Sequence, residues 1–593
     1  MRFDTAYTAS NGSLTRLSQA NEEDGGGKRF PPYHTLGLGI FALYAIVTWF
    51  MFLQWTPILG SALIGPPGDN QQDFWNTWYT SVGADLYNFF FTNLIRFPEG
   101  TSLYYHSFAY PKVFAIALLS KVVGADLNSL ILLQNLSLLA SFPLAAVGTF
   151  YLVRHLTGNT VGALIGGFIF AFNPSHIVHT GGNAHVSSIE FIPFFCLCYI
   201  MALERKNILW LGSAIIFYVL SALSCWYYLF YIAYFIGFHS IYVSLRDRAL
   251  PKSWQLLSPV ACLIGIVVAL SPILVAMVQL AVSGVSVYES GTDEYVADIF
   301  AYPAFPPFHL LQSLTKGIYS RLSGNFGTAT VYLGLINIVV LGWLCFRARH
   351  KDHQLLAYVL CGMAVFCILA SGDSLHVLGH RTIPMPGAIL SDLPFFKNVR
   401  TPSRAIVFVY LFLAIGIGHA VALALQPLDR ASVRWGIAVV AVLMVLDFYP
   451  YRLAVTPVSC SPGFSIIRDD PQRGFGILDL PRGEPQAMEG NFYMLYQAAC
   501  HSRPIAGGIT SRDVAVSLID RLETQDMEAQ RQQLADAKIK YIIIHEPTNP
   551  ARLRFGWLRN LFQWRPADGH PDEYLRTYPT AYKSVDLTIL QVY

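Results

Sequence analysis

Residues 111–124 read Pro-Lys-Val-Phe-Ala-Ile-Ala-Leu-Leu-Ser-Lys-Val-Val-Gly. The run is apolar, but it falls short of the roughly 20 residues a helix needs to cross a bilayer, and Lys112 and Lys121 interrupt it. Such a segment lies at the interface or re-enters rather than spans. The topology turns on this reading. Longer apolar runs stand at about 36–58, 128–153, 159–174, 184–203, 208–224, 226–245, 256–281, 329–346, 355–371, 405–424 and 434–451. If 111–124 does not cross, then Arg154, Arg205-Lys206, Arg246/Arg248/Lys252, Arg347/Arg349/Lys351 and Arg430/Arg434 all fall on the side of the N-terminal tail. That satisfies the positive-inside rule at every loop; a crossing at 111–124 inverts it everywhere. The expectation is about eleven spans, with the N-terminus cytoplasmic and the C-terminus outside.

Composition agrees. The 593 residues are 54% hydrophobic and 13% charged, with mean hydropathy +0.43. Soluble domains carry about 25% charge, so the fold class expected is a polytopic α-helical membrane protein with interfacial helices on the outer face. Its environment is the plasma (inner) membrane. A net charge of +3 with no basic, aromatic-laced cluster points to no nucleic-acid partner. Aromatics at 14% suit interfacial belts and a substrate groove. Residues 1–33 are a polar, Gly-rich tail expected to be disordered; they contain no early hydrophobic region, so the first span acts as its own signal-anchor. Residues 34–454 form the transmembrane domain. From 455 to 593 charges become frequent, and strand-like runs 476–481, 540–545 and 583–593 flank a polar helical stretch at 511–537, the pattern of a small extracytoplasmic α/β domain. Cys460 and Cys500 lie in this region and are a candidate disulfide if it is oxidising. The other seven cysteines lie in apolar runs and read as buried small hydrophobes.

The chemistry-bearing residues collect on the outer side. Gly68-Asp69-Asn70-Gln71-Gln72-Asp73-Phe74-Trp75 follows Pro66-Pro67. A helix starting near Asp69 puts Asp69 and Asp73 on one face. One carboxylate then serves as general base, and the other holds the acceptor or a divalent cation, the one cofactor left open. The bland reading is an N-cap and a solvated first-turn acid. Asn173-Pro-Ser-His-Ile-Val-His-Thr-Gly-Gly-Asn-Ala-His185 crowds three histidines before Glu190. His176 and His179 read as solvated; His185 and Glu190, at the mouth of a span, are costlier to place and so more suspicious. Among the acids of 288–300, Glu289, Asp293 and Glu294 read as a solvated face, and Asp298 as the candidate lining a cleft. Lys397, Arg400 and Arg404 precede a span on the side where positive charge is disfavoured, and suit a phosphate better than they suit topology. Trp226-Tyr227-Tyr228 is a groove lining or an interfacial anchor.

Taken together these patterns resemble the GT-C superfamily of membrane glycosyltransferases, in its poorly characterised bacterial branch. The resemblance rests on Gly68-Asp69 in the first outer loop and Asn173-Pro174…His185 after a later span. It rests further on Pro394-Phe-Phe-Lys-Asn-Val-Arg-Thr-Pro-Ser-Arg404 before a late span, and on a tail containing Ile477-Leu-Asp-Leu-Pro481 and Lys540-Tyr-Ile-Ile-Ile-His545. The resemblance implies a polyprenyl-phosphate-linked sugar donor and inverting transfer to an envelope glycan, lipid or protein acceptor on the outer face. It implies Asp69 as the catalytic acid of the first outer loop, with Asp73 as the second acid. The family's usual Asp-Glu or Asp-x-Asp dyad is absent, because three residues separate the two here. The competing reading is a non-catalytic transporter or flippase of lipid-linked saccharide, which predicts paired broken helices and polar groups at mid-span. A scaffold working through the tail is the third.

Overall fold

The computed structural model describes residues 33–248, 253–283, 295–347, 353–391, 399–425, 431–480, 486–511, 517–523, 526–545, 574 and 576–593. A helix falls on each of the eleven apolar runs. Those used below are α1 (Tyr33–Met51), α4 (Leu127–Thr157), α5 (Thr160–Ala171), α7 (Phe191–Arg205), α9 (Trp226–Asp247), α10 (Ser253–Val282), α12 (His353–Ala370) and α13 (Ile406–Leu425). Among the described helices six are long and apolar enough to cross a bilayer alone. α5 and the short α6 (Pro174–Thr180), bent by 44° where they meet, form a further crossing if counted as one span.

Short polar residues start several of these helices. The side chain of Asp126 accepts from the amides of Asn128 and Ser129 at 3.1 Å each, and Asn159, Asn173 and Asn207 cap α5, α6 and the helix Ile208–Ser224 in the same way. α13 is apolar on all sides and buried along nearly its whole length, as a central helix must be. It meets α5 so closely that a Cβ on Gly162 would lie 2.3 Å from the Gly418 carbonyl oxygen.

Two boundaries differ from expectation for local reasons. The first helix stops at Met51, and a 3-10 segment containing Pro57 replaces the rest of the run, since proline has no amide to give. The run at 184–203 becomes helical only at Phe191. Before it the chain turns, with the Ser188 hydroxyl donating to the Ala184 carbonyl at 2.7 Å. His185 and Glu190 therefore precede the helix instead of lying within it. Residues 111–124 form α3 (Tyr110–Val123), which is not among the helices able to cross. Lys112, Val113, Ile116 and Ser120 are buried, while Leu118 and Val122 on the opposite side are exposed. Of the cysteines expected to be buried, Cys345 and Cys361 are exposed: each lies on the outward face of a bundle helix.

The region from 455 is joined to the first loop at two levels. Strand β1 (Ala62–Ile64) pairs antiparallel with β2 (Val455–Pro457). The remaining strands, β3 (Gly476–Leu480), β4 (Ile539–His545), β5 (Thr580–Lys583) and β6 (Leu587–Gln591), form a sheet in the order β3-β4-β6-β5, parallel only between β3 and β4. The last strand, expected as an edge or half-buried strand, lies between two others and buries four of its five residues. The helical stretch expected at 511–537 is shorter, α16 (Met527–Asp536), and α15 (Gln486–Tyr496) is an additional helix. Cys460 and Cys500 are bonded to each other. One hydrophobic core includes Phe74, Trp75 and Trp78 of the first loop together with Phe464, Ile477 and Met494 of the tail, so the two regions pack as one body.

The decisive contact within this body involves no side chain. Gly65 has φ +99°, and a Cβ there would lie 1.5 Å from the Gly181 carbonyl oxygen. Gly65→Ala should force the loops at 65 and 181 apart and lower stability by about 2 kcal/mol or more, the scale of backbone strain added to overpacking. Gly39→Ala, with nothing within 4 Å of its Cβ, should leave the melting temperature of the purified protein unchanged. Equal melting temperatures for the two variants would show that the loop contact carries no weight.

Candidate active site

The site is built on α2 (Asp69–Trp78). Gly68, at φ +148°, occupies the cap position, a conformation costly for any residue with a Cβ. Asp69 is thereby released from capping and stands at the first helical position, with Asp73 one turn on along the same face. The opposite face is locked into the shared core. Trp75 stacks on Tyr79 with ring centres 4.8 Å apart, and its Nε1 donates to Gln497 Oε1 at 2.7 Å. These aromatics anchor the helix; they are not an interfacial belt.

The two carboxylates are in different environments. Asp69 is exposed; Asn183 Nδ2 donates to one oxygen at 2.6 Å and Asn491 Nδ2 to the other at 3.3 Å. Asp73 is buried, and its Oδ2 accepts from the Ala184 amide at 2.7 Å. Burial pushes its pKa up to about 8; the Ala184 bond opposes this, the Asp69 charge adds to it, and Lys112 pulls it back. Lys112 is itself buried, 3.5 Å from the Ser187 hydroxyl. Its pKa is lowered by burial and drawn back up by the charges of Glu190 and Asp73. Glu190 is 3% exposed, and its Oε2 has no hydrogen-bond partner among the described residues.

A cationic face lies across the histidine loop. Arg404 stands in the 3-10 turn leading into α13, its guanidinium 4.5 Å from the centre of the Tyr227 ring and its buried Nε without a hydrogen-bond partner among the described residues. Tyr227 and Tyr231 hold that turn through Thr401 and Pro402, at 3.3–3.4 Å. His185 is half-buried and its pKa is pushed well down, first by burial and then by the charges of Arg404, His179, His106 and Arg400. Burial holds His179 and His106 near a pKa of about 3, so the imidazoles here are neutral at physiological pH. His106 Nε2 meets Asn76 Oδ1 at 2.7 Å, and His179 Nδ1 meets Asn183 Oδ1 at 3.3 Å. The site therefore carries carboxylates on one side, arginines on the other and uncharged imidazoles between them.

The expected residues divide. Asp69, Asp73, His185, Glu190, Arg400 and Arg404 come together. Asp298 does not join them by any contact in the described residues. Its two oxygens accept from the amides of Phe300 and Gly379, each at 2.8 Å, capping one turn and tying down another. Trp226 packs against the bundle core, and the residue facing Arg404 is its neighbour Tyr227. Lys397, with Glu289, Asp293 and Glu294, lies outside the described residues. His176 and His179, expected to be solvated, are both buried; His176 bonds Ser141 Oγ at 2.9 Å and stacks on Phe142. Lys112, Asn183, Asn491 and His106 were not foreseen as site residues. A lysine inside an apolar interfacial run was a visible signal for the first. Asn491 had none, because it reaches Asp69 from 422 positions away.

A divalent cation here would find Asp69, with Asp73 beside it; among the described residues no group of three His, Cys, Asp or Glu side chains could hold one. That is the donor set of a site completed by water and phosphate oxygens, not of a closed protein cage.

The sequence matches no family model and no curated protein. Solved structures do match. The apo oligosaccharyltransferase of Archaeoglobus fulgidus aligns with a TM-score of 0.50 at 11% identity, over 86% of this chain and 69% of that one. Arabinofuranosyltransferase AftD from Mycobacteria aligns with a TM-score of 0.52 at 12% identity, over 93% of this chain but only 41% of that one. Identities this low speak for the fold alone, and both neighbours are GT-C glycosyltransferases. The chain has the GT-C fold.

Proposed function

We propose that the chain is an inverting glycosyltransferase that moves a sugar from a polyprenyl-phosphate donor to an acceptor hydroxyl or amide of the cell envelope. The observation that carries this reading is the pairing of an exposed, amide-oriented Asp69 with an arginine face across neutral histidines. The phosphate-linked sugar already has a good leaving group, so the enzyme's work is to orient the acceptor and remove its proton. Asp69 is the base. Its oxygens accept from two side-chain amides, whereas Asp73 keeps its proton at neutral pH. As the acceptor attacks the anomeric carbon, the bond to phosphate breaks on the opposite face and the configuration inverts. Arg404 and Arg400 stabilise the charge that collects on the departing phosphate. A divalent cation would be held by the Asp69 carboxylate, with Asp73 joining only on giving up its proton, and would supply further positive charge at that phosphate. The tail from 455, as the extracytoplasmic domain, lends Asn491 to the acceptor side. The carboxylate end of the bundle faces outward and the ends bearing Arg154, Arg205 and Arg246 face the cytoplasm. The flippase reading expects paired broken helices; the described residues contain one bent pair.

Three measurements test this. Asp69→Asn should lower transfer from a radiolabelled polyprenyl-phosphate sugar by about 10²–10⁴-fold, the range of general-base catalysis, and Arg404→Lys should raise the donor KM because an ammonium lacks the guanidinium fork. Unchanged product with Asp69→Asn would remove the proposal. Secondly, Asp73 is ionised in the unfolded chain and largely protonated in the native one. The stability it contributes is therefore present at low pH and lost as pH rises through about 8. From about pH 6.5 to 8.5 the melting temperature should fall more steeply for the wild type than for Asp73→Asn, histidine titration being common to both; parallel curves would mean that Asp73 is ionised in the fold. Thirdly, reporter fusions after residues 206 and 460 should report cytoplasmic and extracytoplasmic locations respectively, and a cytoplasmic signal at 460 would break the scheme.

A further inference from the structure

The chemistry above makes no use of the polar residues in the two strand motifs of the tail, Ile477-Leu-Asp-Leu480 in β3 and Lys540-Tyr-Ile-Ile-Ile-His545 in β4. β3 and β4 are parallel, with Asp479 in register with Ile543. Side chains alternate along a strand, so Asp479 and His545, two residues beyond Ile543, rise from one face of the sheet. They meet there: His545 Nε2 stands 2.9 Å from Asp479 Oδ1, and both residues are buried. The second oxygen of Asp479 has no hydrogen-bond partner among the described residues. Stability does not account for such a pair, because desolvation cancels most of the attraction and an unpartnered buried oxygen adds to the cost. What a buried hydrogen bond supplies that apolar packing does not is direction, since it admits few arrangements of the groups it joins.

The element it directs is α15. The His545 ring is stacked on Tyr493 and on Tyr496, with ring centres 5.1 Å away in each case, and meets Phe492 edge-on at 5.7 Å. α15 in turn reaches the carboxylate helix at two points. Asn491 Nδ2 donates to Asp69 Oδ1 at 3.3 Å. Gln497, buried just past the end of α15, accepts from Trp75 Nε1 at 2.7 Å and donates to the Arg503 carbonyl at 2.9 Å. The Asn491 bond is at the long end of the hydrogen-bond range. A small displacement of α15 therefore decides whether Asp69 is held from both sides or by Asn183 alone.

We propose that Asp479 and His545 are positioning residues for Asp69. Their hydrogen bond fixes the imidazole against the α15 aromatics, and α15 so placed holds Asn491 on the carboxylate. The tail thus takes part in transfer through the orientation of the base, without either residue touching a substrate. The inference rests on the reading of Asp69 as the base.

The test combines hydrogen–deuterium exchange of the full-length protein with transfer kinetics from a radiolabelled polyprenyl-phosphate sugar. The double variant Asp479→Leu/His545→Phe removes both polar groups, leaves neither unpartnered and keeps apolar packing, so its melting temperature should stay at the wild-type value. Exchange over 486–501 should nevertheless rise while that over α13 does not. The kcat should fall by about 10²-fold, the scale of a misplacement of about 1 Å, with the donor KM unchanged because Arg404 is untouched. His545→Gln still presents an N–H to Asp479 and should keep wild-type exchange and most of the kcat. Wild-type exchange or wild-type kcat in the double variant would overturn the proposal. So would equal losses in His545→Gln, and a lowered melting temperature in the double variant would make the pair a structural tie instead. The exchange arm is independent of activity: if Asp69→Asn leaves transfer unchanged, the base assignment falls, and exchange over 486–501 still reports whether the pair holds α15.

Discussion

The site depends on two loop backbones being allowed to touch. Gly65 precedes the carboxylate helix and Gly181 follows the histidine helix, and their main chains meet where any side chain on Gly65 would collide. Around that contact the segment is pinned by amides. Asn135 donates to the carbonyls of Leu59 and Ala62, and Asn70 to those of Ile64 and Gly65 and to Thr456. With the backbones held at this separation, Asn183 reaches Asp69 and the Ala184 amide reaches Asp73 with no further adjustment. Two segments more than a hundred residues apart become one surface because the space between them is too small for a methyl group.

The same arrangement explains why the two aspartates differ. Adjacent turns of one helix place them on one face, yet the loop that supplies the Ala184 amide also covers Asp73 and leaves Asp69 open. Lys112, buried within reach of the charges of Asp73 and Glu190, keeps this region from holding acids alone. A buried charge set of this kind contributes little to stability, since desolvation consumes most of the attraction. Its effect is on ionisation: one carboxylate holds its proton while its neighbour remains exposed to water, the separation of roles that acid–base chemistry requires.

Much of this organisation was legible in the chain. The eleven apolar runs, each of which carries a helix, stand out because a bilayer demands continuous hydrophobic length. The run 111–124, read as too short to cross, forms a helix of 14 residues with one buried face. Asp69 and Asp73 were visible as a helical i,i+4 pair, and Arg400 and Arg404 as cations on the side where topology disfavours them. Other features were misread because the deciding forces are not local. Asp298 looked like a cleft residue, but two backbone amides take up its carboxylate. His176 and His179 looked solvated, but the tertiary fold closes over their loop. The last strand alternates along its length, yet lies inside the sheet because both neighbours arrive from elsewhere.

The sequence by itself determined the class of molecule, the positions of its apolar helices and the helix on which the two acids stand. These follow from hydrophobic length, helical period and the cost of charge in lipid, all of which act over a few tens of residues. Only the tertiary structure decided that Asn183 and Asn491 orient Asp69, that burial raises the pKa of Asp73 against the opposing pull of the Ala184 amide and Lys112, and that Tyr227 carries Arg404. Hydrogen bonds and desolvation act at about 3 Å, and which groups meet at that distance is decided by packing between segments that the chain itself keeps hundreds of residues apart.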